Sequence, residues 1–170
     1  MKVFTFPILA LFLMVFSCLA LADPPVPSAE LQVIEKKYKE AEKANSARIA
    51  DQPKAIDAYS RRGDARLFLG DFKGSAEDYE KMIELNPALD VSHWRLGIAY
   101  YYLSRFDKAA HQFEIYHNYD NVDRENGIWR FMSQTRLKNM QVARKGLLKY
   151  EKTDRPPYPW VYSLYAGDIK

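Results

Sequence analysis

From Ala29 to about Arg48 apolar residues return at three- and four-residue steps: Leu31, Ile34, Tyr38, Ala41, then Ala44 or Asn45. Lys and Glu fill the positions between them. One stripe is therefore apolar and the other charged, the pattern of an amphipathic helix. Glu35 and Lys39, one turn apart, add an ion pair worth a few tenths of a kcal/mol. The segment 29–50 reads as a flanking helix.

Beyond it the pattern copies itself. Ile56 opens IDAYSRRGDARLFLGDFKGSAEDYEKMIELNPAL, and 34 residues on Asp90 opens DVSHWRLGIAYYYLSRFDKAAHQFEIYHNYDNVD. Gly63 matches Gly97, Ala65 matches Ala99, Phe72 matches Phe106 and Tyr79 matches Phe113. Ser75 and Ala76 match Ala109 and Ala110. A period of this length marks stacked supersecondary units, here 56–89 and 90–123. In each unit the glycine and alanines admit a close helix neighbour. Gly70-Asp71 and Ser104-Arg105 fall where a short turn is expected, with Phe72 and Phe106 covering it. Tyr79 and Phe113 fill the space behind the small residues. Asn86-Pro87 closes the first unit, because proline cannot continue the helical hydrogen-bond ladder. Asn118 to Asp123 closes the second without a proline.

A third helical region is expected from about Asp123 to Tyr150. Asp123 can cap its start, with Glu125 and Asn126 in the first turn. Ile128, Trp129, Met132, Leu137, Met140, Val142, Leu147 and Leu148 supply apolar positions for another pair, broken near Lys138 to Gln141. The segment 124–150 thus reads as a degenerate repeat or capping helices, shielding one end of the array as 29–50 shields the other. Arg155-Pro-Pro-Tyr-Pro-Trp160 interrupts helicity before Val161 to Ala166 returns as a short helix or turn. The Pro/aromatic segment 151–170 is expected to lie over the last repeat, with a peptide-like docking tail as the alternative.

The start of the chain changes the destination. Lys2 precedes a nearly unbroken apolar run from Val3 to Ala22, ending Ala20-Leu21-Ala22 before Asp23, which reads as a signal peptide over 1–22. The run approaches the length of a bilayer span, so a retained anchor is the alternative. Val15-Phe16-Ser17-Cys18 also weakly matches the bacterial lipoprotein processing motif, with Cys18 as the residue lipidated. Asp23 to Ser28 is a proline-rich lead-in of extended backbone. Cys18 is the single cysteine, so the folded part has no internal disulfide despite its oxidising destination. The remaining roughly 150 residues can bury a single core without one. The formal charge of +3 includes Lys2, and this balance gives no reason to expect DNA, RNA or anionic lipid as partner.

The Gly, Ala, aromatic, Ala, aromatic, Pro series over 56–123 resembles the tetratricopeptide repeat (TPR) family. Arg62 and Arg66 depart from it where apolar or aromatic residues are usual, and Ser104 where glycine is common. The resemblance implies an all-α, right-handed solenoid of TPR helical hairpins whose first helices line a concave groove for peptides or protein segments. Carried over, the groove positions are Asp57, Ser60, Asp64, Leu67 and Phe68 in one repeat, and Val91, Trp94, Ile98, Tyr101 and Tyr102 in the next. Tyr59, Gly63, Arg66, Gly97 and Tyr100 fall toward the packed side, and Phe106 and Phe113 are mainly core. Chaperone-binding members grip a terminal carboxylate with a basic, asparagine-rich clamp. Asp57, Ser60 and Asp64 stand there instead, so an apolar segment with basic flanks is the expected ligand. The order of leader, repeats and helical tail is also similar to exported NlpI-type bacterial TPR proteins, envelope adaptors that bring proteases or cell-wall hydrolases together.

The sequence holds no phosphate loop or dinucleotide fingerprint. His111 and His117 lie about 120° apart around a helix, poor geometry for a shared metal, and His93 is the only other imidazole. Ser60, Ser75 and Asp64 form no credible triad. The expectation is therefore no catalytic residue, metal or cofactor. The chain reads as an exported bacterial adaptor, periplasmic or secreted, or lipid-anchored at the envelope. Its expected partner is an envelope protein or peptide segment bound noncovalently, with no nucleic acid. Membrane contact is expected only through a lipidated Cys18 or a retained leader. The alternative is a structural self-association module, a homo-oligomer assembled through the solenoid ends.

Overall fold

A computed structural model describes residues 28–150 and 155–169. The leader assigned to 1–22, Cys18 and the lead-in up to Pro27 lie outside the described residues. Those residues form α1 (Ala29–Asp51), α2 (Ile56–Leu69), α3 (Phe72–Leu85), a 3-10 helix (Pro87–Ser92), α4 (Trp94–Tyr102), α5 (Phe106–Tyr119), α6 (Glu125–Leu137), α7 (Met140–Lys145) and α8 (Tyr158–Ala166). All regular structure among the described residues is helical. No helix among them is long and apolar enough to cross a membrane.

Two units divide between Val33 and Ile34. In the first, the Ser28 hydroxyl accepts from the Leu31 amide at 3.3 Å and starts α1, while Leu31 and Val33 stay exposed. In the second, each helix from α2 to α7 packs on the next in chain order, a helical-repeat arrangement. The core between them gathers Tyr59, Ala76, Tyr79, Met82, Leu96, Ala99, Tyr100, Ala109 and Phe113.

The repeat is visible in atoms. A methyl group placed on Gly63 would stand 2.6 Å from the Tyr79 ring, and one on Gly97 would stand 2.7 Å from the Phe113 ring. Both rings are fully buried. The same contact therefore recurs 34 residues on, and it exists because neither helix carries a side chain at that point. The turns match as well. Gly70 takes φ 81° between α2 and α3, and Ser104, its equivalent, takes φ 59° between α4 and α5. Asp71 caps α3 by accepting from the Gly74 amide at 2.9 Å. Asn86 accepts from the Ala88 amide at 3.2 Å, and Pro87 opens the 3-10 helix, so α4 begins only at Trp94.

The two arginines that depart from the repeat pattern converge on one carboxylate. Asp78, 2% exposed, accepts from Arg62 Nη2 at 2.6 Å and from Arg66 Nη1 at 3.0 Å. The same guanidiniums reach α1: Arg62 Nη1 bonds Ser46 at 3.3 Å and Arg66 Nε bonds Glu42 at 3.0 Å. Arg48 of α1 pairs with Asp57. No residue of α1 is buried; polar contacts, the stack of Tyr38 on Phe68 and the half-buried Ile49 against the core attach it. In the second repeat the equivalent positions are Leu96, Tyr100 and Gln112, and all three are buried.

The last helix folds onto α6. Tyr165 stacks on Phe131 at 4.1 Å, and the Tyr162 hydroxyl donates to the Arg124 carbonyl at 2.7 Å. Tyr158 and Arg155 both engage Glu125. Arg144 Nε donates to the Tyr165 carbonyl at 3.2 Å, near the end of α8. Asp123 Oδ1 accepts from the Glu125 amide at 3.3 Å, at the start of α6.

Candidate functional site

The turn ends of both repeats carry aromatic residues, and the packing of α3, α4, α5 and α6 brings four of them together with Trp129. Tyr102, on the last turn of α4, stacks on Phe72 from the first turn of α3, with ring centroids 4.3 Å apart. Tyr101 meets Tyr102, Phe106 and Trp129 edge-on at 5.9, 5.5 and 5.4 Å. Trp129 lies on α6, 6.2 Å from Tyr102, and stacks over buried Phe113 at 6.1 Å. The Arg136 guanidinium sits 4.6 Å above the Phe106 ring.

The surface is thus anchored from below and open above. Tyr101 and Trp129 pack against the core, whereas Tyr102 remains 54% exposed. Offset and edge-on aromatic pairs add about 0.5–1.5 kcal/mol each beyond the area they bury. Those contacts hold Tyr102 in place before anything docks on it. A rigid aromatic with one open face and a polar edge is the chemistry of a protein-recognition hot spot.

The other expected groove residues divide. Phe68 is 63% exposed and stacks on Tyr38 of α1 at 4.7 Å. Leu67, Trp94 and Ile98 pack against the core, with the Arg95 guanidinium 4.4 Å above the Trp94 ring. Val91 is exposed, on the 3-10 helix. Asp57 and Ser60 line a separate open depression of about 700 Å³ with Arg48, Arg61, Met82 and Leu89, a volume in the range of ligand clefts but far more open. Asp64 accepts from the Tyr79 hydroxyl at 2.7 Å and faces Arg95 at 3.5 Å. Burial first, and then this bond to Asp64, push the Tyr79 hydroxyl far above the ordinary tyrosine range. Asp57 and Asp64 both already have cationic partners, which removes the reason to expect basic flanks on a ligand.

Phe72, Phe106 and Trp129 are the members of this surface that the groove assignment did not include. The signal was present for two of them, since Phe72 and Phe106 are repeat equivalents beside the turns. Trp129 had no such signal, because its partners come from another helix pair. Among the described residues no group of three or more His, Cys, Asp or Glu side chains is placed to hold a metal. His93 and His117 are both held below the usual imidazole range, chiefly by burial. Compared with known families, the chain matches no family model.

Proposed function

We propose that the chain is an exported bacterial adaptor of the TPR type that binds an apolar segment of an envelope protein without chemistry on it. One observation carries the reading: Tyr102 is more than half exposed, yet it is fixed by Phe72 behind it and by Tyr101 and Trp129 at its edges. An aromatic residue that merely completes a core has no reason to keep an open face, whereas one that receives a partner does. The helical-repeat scaffold supplies the rigidity, and the 34-residue match with its paired glycine–ring contacts supports the TPR assignment. The reading assigns no catalytic residue, metal or cofactor.

The test is crosslinking capture from the native envelope with the full chain and with Tyr102→Ser. Tyr102 is exposed at the end of α4, so circular dichroism of the variant is expected to match that of the parent. A partner held by the parent and lost from the variant supports the reading. Equal capture by both removes the aromatic surface from it. Capture of the same chain alone transfers the function to self-association.

A further inference from the structure

The near-neutral total charge conceals a local excess. Between Asn126 and Tyr150 the sequence carries Arg130, Arg136, Lys138, Arg144, Lys145 and Lys149 and no Asp or Glu. Three of these cations are engaged within the fold: Arg130 with Glu114 at 3.3 Å, Arg136 over Phe106, and Arg144 at the end of α8. Lys138, Lys145 and Lys149 are exposed, and among the described residues none of them has an ion-pair partner.

Lys145 and Lys149 border an open depression of about 630 Å³ between α7, the chain that follows it, and α8. Its walls include Leu147, Leu148, Tyr150, Pro159, Tyr162 and Ala166, and its one carboxylate among the described residues is Asp168. Beside it on α8, Trp160 is 63% exposed and Leu164, one turn on, is also exposed. Apolar walls rimmed by long cationic side chains, next to an open tryptophan, match the boundary between phosphate headgroups and acyl chains. Tryptophan favours that boundary because its ring is apolar and its N–H is polar. Each lysine held near an anionic surface adds attraction that salt screens.

We infer that this carboxy-terminal face docks on an anionic phospholipid surface, with Lys145 and Lys149 on the phosphates and Trp160 and Leu164 at the acyl boundary. The contact is peripheral and separate from any anchor at the start of the chain.

The test uses the full chain, co-sedimented with vesicles of phosphatidylcholine alone and of an equal mixture with phosphatidylglycerol. Every variant keeps the same amino-terminal segment, so the readout is the gain in binding caused by the anionic lipid. The parent is expected to show that gain, and raised salt to reduce it. Lys145→Gln/Lys149→Gln is expected to weaken binding to the mixed vesicles by about thirtyfold and leave phosphatidylcholine binding unchanged. Trp160→Ser/Leu164→Ser is expected to weaken binding to the mixed vesicles while its salt dependence persists. An anionic gain that is the same in the parent and the lysine variant overturns the inference. So does binding of polyglutamate through these lysines with no gain on mixed vesicles, which assigns the face to an acidic polypeptide.

Discussion

Ser104 is the residue where the two repeats differ most simply. It holds a left-handed backbone at φ 59°, where its equivalent in the first repeat is Gly70 at φ 81°. A side chain in that region costs about 1–2 kcal/mol, and glycine avoids most of the cost while being more flexible when unfolded. Ser104→Gly is therefore expected to raise stability by about 0.5–1 kcal/mol in urea denaturation. The opposite error is available at Gly63, where a methyl group meets a fully buried ring that has nowhere to go. Gly63→Ala is expected to cost about 1–3 kcal/mol by overpacking, and less in a Tyr79→Leu background; an undiminished cost there assigns it to the backbone instead. These glycine–ring pairs were legible in the sequence because the same residues recur at the same spacing. The left-handed turn was half legible: glycine announces it at 70, and serine hides it at 104.

At the scale of the element, α1 is the instructive case. Its periodicity shows an amphipathic helix, but periodicity reports only which side is polar. It does not tell whether that side meets water or another helix. Arg62 and Arg66 looked like defects in a packed face, and Asp78, which answers both, is sixteen and twelve residues away. Nothing in a local pattern joins residues at those separations. Removing the shared carboxylate leaves Arg62 with no ion pair among the described residues and Arg66 with Glu42, so Asp78→Ala is expected to cost about 3 kcal/mol, the low end for a broken buried pair. The variant's loss of helicity should begin in α1, as limited proteolysis between Arg48 and Lys54 would show. Cleavage starting elsewhere would mean that the network serves the α2–α3 pair alone. The groove residues show the same limit. Helical position separates Trp94 and Tyr101 from the core on paper, yet both pack against it, Tyr101 because α6 brings Trp129 onto its ring.

For the molecule as a whole, the all-helical class and the pairing of successive helices were legible, and the contacts of Tyr158 and Arg155 with Glu125 in the carboxy-terminal closure were not. That closure runs through carboxylates of opposite tendency. Burial first, then the hydrogen bond and charge of Glu125, push Asp123 up to about 6 from 3.8. Burial also works to raise Glu125, but its bonds with Asp123 and Tyr158 and the charge of Arg155 outweigh it and hold that carboxyl below its ordinary 4.5. The proton of the pair thus rests on Asp123. A carboxyl raised on folding adds stability below its unfolded value, here 3.8, and loses that addition as the pH rises through about 6. Glu125 acts in the opposite sense, keeping its contribution above 4.5 and losing it as the pH falls through its lowered value. Thermal midpoints taken across that interval are expected to show the Asp123 loss in the parent and not in Asp123→Asn, which stays neutral. Parallel curves would place the titration elsewhere.

The charged joint at α1 also sets an order in time. An apolar interface lets go only when water can enter it, so its parts leave together. The ion pairs that α1 itself makes with α2, Glu42 with Arg66 and Arg48 with Asp57, are partly exposed, so water stands beside them already and dissolved ions compete for them. The length of α1 that lies on α2 is therefore the first to come away on warming and the last to settle on cooling. The glycine–ring contacts can remain closed throughout, so the molecule has a fast edge joined to a slow centre.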